Sequence, residues 1–260
     1  MGTAQMQGEL WGARPKDWST LQEVAFAALY DAAFDAANVG RGTRLLDVGC
    51  GAGLALEMAI GRGAEVSGLD AAAPLAEVAR SRSPSADIRV GEMEELPFAD
   101  GSFDVVTGFN SFQYAADPVS ALAEARRVAR DKGKVVIAIW GMAEQCEMAG
   151  YIAALGGLMP PPPPGAPGPF ALSAPGALES LAVKAGLDPK RSASAPVEFT
   201  FADETTAVRG LLAPGPATRA ISHSGEEAVR KGVAEAIAPY RKDDGSYFMR
   251  NEFRYLITEK

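Results

Sequence analysis

The sequence predicts an α/β fold: a mostly parallel sheet with helices on both faces. Two apolar runs that end in acids, a glycine turn after the first, and a strand–helix rhythm kept up to residue 140 predict it. The first run, Leu45-Leu46-Asp47-Val48, drops into Gly49-Cys50-Gly51-Ala52-Gly53. A short apolar run closed by alternate glycines reads as a buried strand feeding a tight turn. The second run, Ala64-Glu65-Val66-Ser67-Gly68-Leu69, closes on Asp70. Strand, helix, strand at this spacing requires right-handed crossovers, giving a Rossmann-like sheet whose carboxyl edge binds ligands.

Taken in order, Asp17 to Asn38 has helical spacing, with Leu21, Val24, Ala25, Ala28 and Leu29 on one face. Gly40 and Gly42 are expected to stop it. Strands are expected at 43–48, 64–69, 86–90, 103–108 and 134–140, and helices at 54–62, 72–82 and 117–130. Asp117-Pro118 marks the start of that last helix, an acidic cap followed by proline in the first turn.

After Trp140 the rhythm breaks. Residues 143–158 read as helix and lead into five consecutive prolines, Pro160 to Pro164, then Gly165-Ala166-Pro167. The run favours polyproline II, and with no flanking arginine it reads as a stiff connector rather than an SH3-type ligand. Residues 174–186 return to helix, and Val197–Phe201 and Phe248–Thr258 bring the strands to seven. Asp243-Asp244-Gly245 supplies a turn before the last. The expected organisation is an N-terminal helical segment at 1–40, a ligand-binding core at 41–140 and a lid insertion at 141–172. The sheet is completed by 173–202 and 243–260, with an α-helical cap insertion at 203–242, helical and apolar on one side.

The turn decides which ligand. An acid closing the second strand is placed to accept hydrogen bonds from both hydroxyls of an adenosine ribose. A dinucleotide fingerprint needs a third glycine where this chain has Leu54. Asp47, two residues before Gly49, would repel a pyrophosphate but suits a cation. S-adenosyl-L-methionine carries a sulfonium and an ammonium and no phosphate, so it is the expected ligand, with S-adenosyl-L-homocysteine as product.

Leu45 to Gly53, Asp70, Gly91-Glu92-Met93-Glu94-Glu95-Leu96-Pro97-Phe98 and Phe103-Asp104-Val105-Val106 together resemble a class I S-adenosylmethionine-dependent methyltransferase, UbiE-like small-molecule branch. The resemblance covers about residues 40–140. It implies that Asp47, Gly49, Cys50, Gly51 and Gly53 hold the methionine end, and that Asp70 with Ala71 takes the ribose. It implies that Glu92 accepts from the adenine amino group, that the Met93 amide faces the ring, and that Asn110 contacts the methionine moiety. Glu92 is one methylene longer than the family's usual aspartate. Asn110-Ser111-Phe112-Gln113 lacks both prolines of the motif in methyltransferases acting on nucleic-acid bases. Asn110 also replaces the acid with which catechol-type enzymes bind magnesium, so no metal is expected.

The net charge of -8, with no basic run longer than a pair such as Arg126-Arg127, argues against nucleic acid as partner. Cys50 and Cys146 have neither metal-site nor disulfide spacing. No signal peptide is read at the start, and no apolar run approaches the ~20 residues that span a bilayer, so a cytoplasmic enzyme with no membrane partner is expected. A cap-to-cap homodimer is compatible with the sequence.

Methyl transfer chiefly needs alignment and exclusion of water; a base is needed only where the acceptor must lose a proton. His223, the one histidine, lies in the cap and is the candidate base, against a solvated loop residue as the plainer reading. Tyr114, after the fourth strand, is placed to face the acceptor or to pack around it. Trp11 and Trp18 either close over the cofactor or pack the first helix. The expected function is metal-free transfer of a methyl group to oxygen, nitrogen or carbon of a small organic acceptor under the cap. The alternatives are an S-adenosylmethionine-binding enzyme that does not methylate, of pericyclase or eliminase type, and a sensing module.

Overall fold

Residues 2–161 and 168–260 are described by a computed structural model of the chain. Most of the expected proline connector, from residue 162 to residue 167, lies outside them. The chain enters through α1 (Ala4–Trp11), a single turn α2 (Pro15–Asp17) and a π-turn over Trp18–Gln22, then runs into α3 (Ala27–Ala37). The sequence reading did not anticipate α1, which has no fully buried residue and holds its place by a few specific contacts. Helix α3 stops at Asn38, not at Gly40 or Gly42. Asn38 takes a left-handed conformation (φ +60°), and the N–H of Val39 closes back on the Phe34 carbonyl at 2.8 Å. Asparagine tolerates that conformation, so a glycine is not needed to end the helix.

Then come β1 (Arg44–Val48), α4 (Leu54–Gly61), β2 (Glu65–Asp70), α5 (Ala73–Arg82), β3 (Asp87–Val90) and β4 (Phe103–Phe109). They are followed by α6 (Pro118–Val128), β5 (Ala129–Trp140), α7 (Ala149–Gly157) and α8 (Ala177–Lys184). The chain ends with β6 (Asp188–Phe201), α9 (Glu204–Leu211), α10 (Gly215–Ser224), α11 (Glu226–Ile237) and β7 (Tyr247–Glu259). The seven strands form one sheet in the order β3-β2-β1-β4-β5-β7-β6. All pairs from β3 to β5 are parallel, while β7 is antiparallel to both its neighbours. β5 and β6 begin earlier than the sequence suggests, at Ala129 and Asp188, because pairing extends strands past their apolar cores.

Two features of this topology position the site. β1 pairs with β2 on one side and with β4 on the other, so the strand order reverses at β1 and leaves a crevice at its carboxyl end. Successive residues of β1 also point to opposite faces: Leu45 joins the core with α3, α4 and the cap helices, and Leu46 the core with α6 and α8. Cap and N-terminal helix share one apolar core, through residues such as Phe26, Phe34, Leu211, Val229 and Ile237.

Candidate cofactor and acceptor site

The glycine turn after β1 is fastened to β2. The N–H groups of Gly49 and Cys50 both donate to the Leu69 carbonyl, at 2.7 and 3.0 Å. Gly49 has φ +79°, and a Cβ there would stand 2.4 Å from Cβ of Ser111, so both backbone and space require glycine. The Gly51 N–H donates to Asp70 Oδ2 and the Ala72 N–H to Oδ1, each at 2.8 Å. The two strongest sequence signals, glycine turn and strand-end acid, thus meet in one hydrogen bond. Asp70 is only 8% exposed; burial raises its pKa, and the bonds from Ala72 and Gly51 oppose that rise.

Asp47 lies behind the turn, 2% exposed, accepting from the Thr107 hydroxyl at 2.7 Å. Burial raises its pKa to about 7 against the Thr107 bond, and the nearby Asp70 and Glu23 push the same way. Glu23 was not foreseen as a site residue. It is buried, pairs with Arg82 at 2.6 Å and accepts from the Leu54 N–H at 3.3 Å, in the first turn of α4. Arg82 also donates to the Ala52 carbonyl at 2.9 Å. The pair joins residues 59 apart in the chain, a contact that no local pattern announces.

A cleft of about 660 Å³, a volume that counts adjoining open solvent, lies against this turn. Gly49, Gly51, Asp70, Ala71 and Met93 line it, as do Asn110 and Tyr114. Seven of the twelve candidate residues therefore share one space. Asp47, Cys50 and Gly53 are not among the described lining residues. The Cys50 thiol is turned into the core, where a Cβ on Gly68 would lie 2.9 Å from its sulfur. Gly53 precedes α4 in the left-handed conformation. Asn110 is likewise left-handed (φ +56°), and its Oδ1 accepts from Gln113 Nε2 at 2.6 Å.

The remaining wall comes from the N-terminal segment. Trp11, Trp18, Phe26 and Tyr30 line the cavity with Phe109 of β4. Trp11 stands edge-on to Trp18 and to Tyr114, with ring centres 5.1 and 5.4 Å apart. Tyr30 stands edge-on to Phe109 at 4.6 Å. Helix α1 crosses the exit of β2 so closely that a Cβ on Gly8 would lie 2.4 Å from the Ala71 carbonyl oxygen. Its first turn is capped by Glu92, whose Oε2 accepts the Ala4 N–H at 2.9 Å and whose Oε1 accepts the Glu94 N–H at 3.3 Å. Tyr30, missed by the sequence reading, lies one residue past Leu29 on α3, with nothing local to mark it as a wall residue. Burial pushes the Tyr114 phenol up to about 12, and burial pushes Tyr30 up as well.

The cap does not line the cavity. No residue of 203–242 is among the described lining residues; the cap reaches the site through the N-terminal segment, with Trp11 against Gly215 and Arg14 paired with Glu226 at 3.0 Å. His223, the candidate base, is exposed in the last turn of α10 and is not among the described residues lining the cavity.

The residues present fit an adenosyl amino acid. The Gly49 and Gly51 backbone and the acid that closes β2 line the cavity, and no lysine, arginine or histidine is among its described lining residues.

Comparison with known proteins agrees. Residues 46–137 match the family described as "Methyltransferase domain". The demethylmenaquinone methyltransferase of Renibacterium salmoninarum is 38% identical over 104 residues, 40% of this chain and 44% of that protein. The chain spans less than half the length of the curated relatives it matches. Among solved structures, the geranyl diphosphate C-methyltransferase of Streptomyces coelicolor A3(2) superposes with a TM-score of 0.51 at 18% identity, covering 90% of this chain and 75% of that one. The [4+2]-cyclase SpnF gives 0.53 at 22% identity, covering 87% and 79%. Both likenesses show the fold.

Proposed function

We propose that this chain, which carries a class I S-adenosylmethionine-dependent methyltransferase domain, transfers the methyl group of that cofactor to oxygen, nitrogen or carbon of a small organic acceptor. The observation that carries the reading is Asp70, a buried acid bonded to the glycine turn at the edge where the strand order reverses. When bound, S-adenosylmethionine supplies a methyl carbon already activated by its sulfonium. What remains for the protein is alignment and dryness, and positioning alone is worth on the order of 7–11 kcal/mol in well-oriented reactions.

The chain's own residues divide that task. Asp70 fixes the ribose, and the Gly49–Gly51 backbone lets the methionine end approach. Asp47 and Asp70 favour a cationic ligand by their negative potential. Trp11, Tyr30, Phe109 and Tyr114 form an apolar wall that excludes water from the acceptor side. Tyr30 and Tyr114 stay protonated near neutrality, so they serve as hydrogen-bond donors to the acceptor and not as bases. The transfer is metal-free in this reading, because the strand-end position suited to a magnesium ligand is Asn110, engaged with Gln113.

Calorimetric titration of S-adenosylmethionine, S-adenosylhomocysteine and NAD into the protein and its Asp70→Ala variant tests this. Micromolar binding of the first two, lost in the variant, followed by formation of S-adenosylhomocysteine with an acceptor, is the expected result. Binding of NAD alone would overturn it. Turnover of an acceptor without formation of S-adenosylhomocysteine would replace methyl transfer with non-methylating chemistry on the same fold.

A further inference from the structure

The indole N–H of Trp18 is buried and has no hydrogen-bond partner among the described residues. It lies 3.2 Å from the point where a Cβ on Gly51 would stand, beside the cavity that both residues line. A buried donor left unmatched costs about 1–3 kcal/mol, so it is expected to meet an acceptor when the site is filled. Trp18 opens a π-turn, and such turns occur disproportionately at functional sites. The same turn carries a second unpartnered donor, Gln22 Nε2, on a residue 2% exposed.

Among the described residues, no cation around this point is free to take an acceptor in place of the indole N–H. No lysine, arginine or histidine is among the described residues lining the cavity. Arg82, the nearby cation, is already taken by Glu23 and the Ala52 carbonyl. Around the turn lie three carboxylates, of Glu23, Asp47 and Asp70. Glu23 Oε1 stands 3.4 Å from the same hypothetical Gly51 Cβ. Glu23 is committed to Arg82 and to the Leu54 N–H, so beside this stretch of bare backbone the Trp18 N–H is an uncommitted donor, able to meet the carboxylate of an amino-acid end.

We infer that Trp18 Nε1 donates to the α-carboxylate of the cofactor's amino-acid end, making the N-terminal π-turn a recognition element for that end. The assignment rests on the S-adenosylmethionine reading above. It gives the site a neutral donor where a guanidinium would otherwise be needed, and it ties cofactor occupancy to the placement of the segment that walls the acceptor side.

The test compares S-adenosylhomocysteine with 5′-methylthioadenosine, which keeps the adenosine and lacks the amino-acid end, by calorimetry on the wild type and Trp18→Phe. Phenylalanine keeps an aromatic ring against Trp11 and Phe26 while deleting the N–H. The expected result is about a 10- to 100-fold loss of S-adenosylhomocysteine affinity, the range for a hydrogen bond to a charged group, with 5′-methylthioadenosine held within about 2-fold. Decarboxylated S-adenosylhomocysteine provides a second check: on the wild type, removing the ligand's carboxylate should cost a similar factor, and on Trp18→Phe the two losses should not add. Unchanged S-adenosylhomocysteine affinity in Trp18→Phe overturns the inference, as does equal loss of both ligands, which would mark a packing role. Wild type that binds neither ligand would sink the cofactor reading, and this one with it.

Discussion

The two ends of the cavity are built by different physics. At the donor end, the Leu69 carbonyl and the Asp70 carboxylate at the end of β2 hold the backbone amides of Gly49, Cys50 and Gly51, all within 22 residues of sequence. At the acceptor end, Trp11 meets Tyr114, Tyr30 meets Phe109, and Phe26 meets Phe199 and Phe253. Those rings are brought together across most of the chain. Hydrogen-bonded backbone tolerates almost no change of residue, whereas an aromatic wall tolerates many. A fold that must keep one donor and vary its acceptor would place its rigidity and its plasticity in this way.

Gly49→Ala is the hardest blow to the donor end. The positive φ and the 2.4 Å approach to Ser111 Cβ act together. A loss of about 3 kcal/mol is expected, or about 6–12 °C in Tm for a chain of this size, measured by calorimetry with and without S-adenosylhomocysteine. A wild-type melting curve in this variant would mean that the turn is not held as tightly as these contacts require.

Asp47 comes next, and it sharpens the contrast electrostatically, since the acceptor wall contains no buried carboxylate of this kind. Its pKa, raised from 3.8 to about 7, means that the folded chain holds a proton that the unfolded chain has released. Between about pH 4 and pH 7 the folded state therefore binds more protons, and this group makes the empty protein less stable as pH rises, by at most about 1.4 kcal/mol per pH unit. Above pH 7 its contribution levels off. Burial pushes Glu23 and Asp70 in the same direction. Tm followed from pH 5 to pH 8 should fall, and Asp47→Asn should flatten the slope. A cationic ligand favours ionised Asp47, so the preference for S-adenosylmethionine over S-adenosylhomocysteine should grow over the same range. An unchanged slope in Asp47→Asn would assign the pH dependence to other groups.

Trp11→Ala probes the other end and should act more weakly on the fold. It removes two edge-to-face contacts, each worth about 0.5–1.5 kcal/mol beyond burial, from a helix with no fully buried residue. Hydrogen exchange of the α1 amides should quicken about 10-fold while those of β1 and β2 stay unchanged. Equal quickening in both would show that the two ends unfold together and that the contrast between them is false.

The same contrast explains what was legible in the sequence. The glycine turn, Asp70 and the order of the first five strands are written in local spacing, and the structure keeps all of them. Glu23 and Tyr30 are not, because their roles arise only where α3 and its preceding turns pack against α4 and β4. Helix α1 escaped because Ala4–Trp11 has no continuous apolar stripe; Glu92 and the Tyr114 carbonyl, reached by the Thr3 hydroxyl at 2.8 Å, hold it instead.

His223 gives the smallest expected effect. A lone histidine in a predicted cap invites assignment as a base, because its ordinary pKa lies near neutrality. That argument is about residue type alone. Proton transfer needs hydrogen-bond reach of the acceptor, and His223 is exposed in the last turn of α10 and is not among the described residues lining the cavity. His223→Ala should leave Tm within about 1 °C and S-adenosylhomocysteine affinity and turnover within about 2-fold, as for surface substitutions generally. A loss of turnover beyond about 10-fold with affinity intact would mean that the cap closes over the acceptor in a conformation other than this one, bringing α10 to the cavity and undoing the division of labour between its two ends.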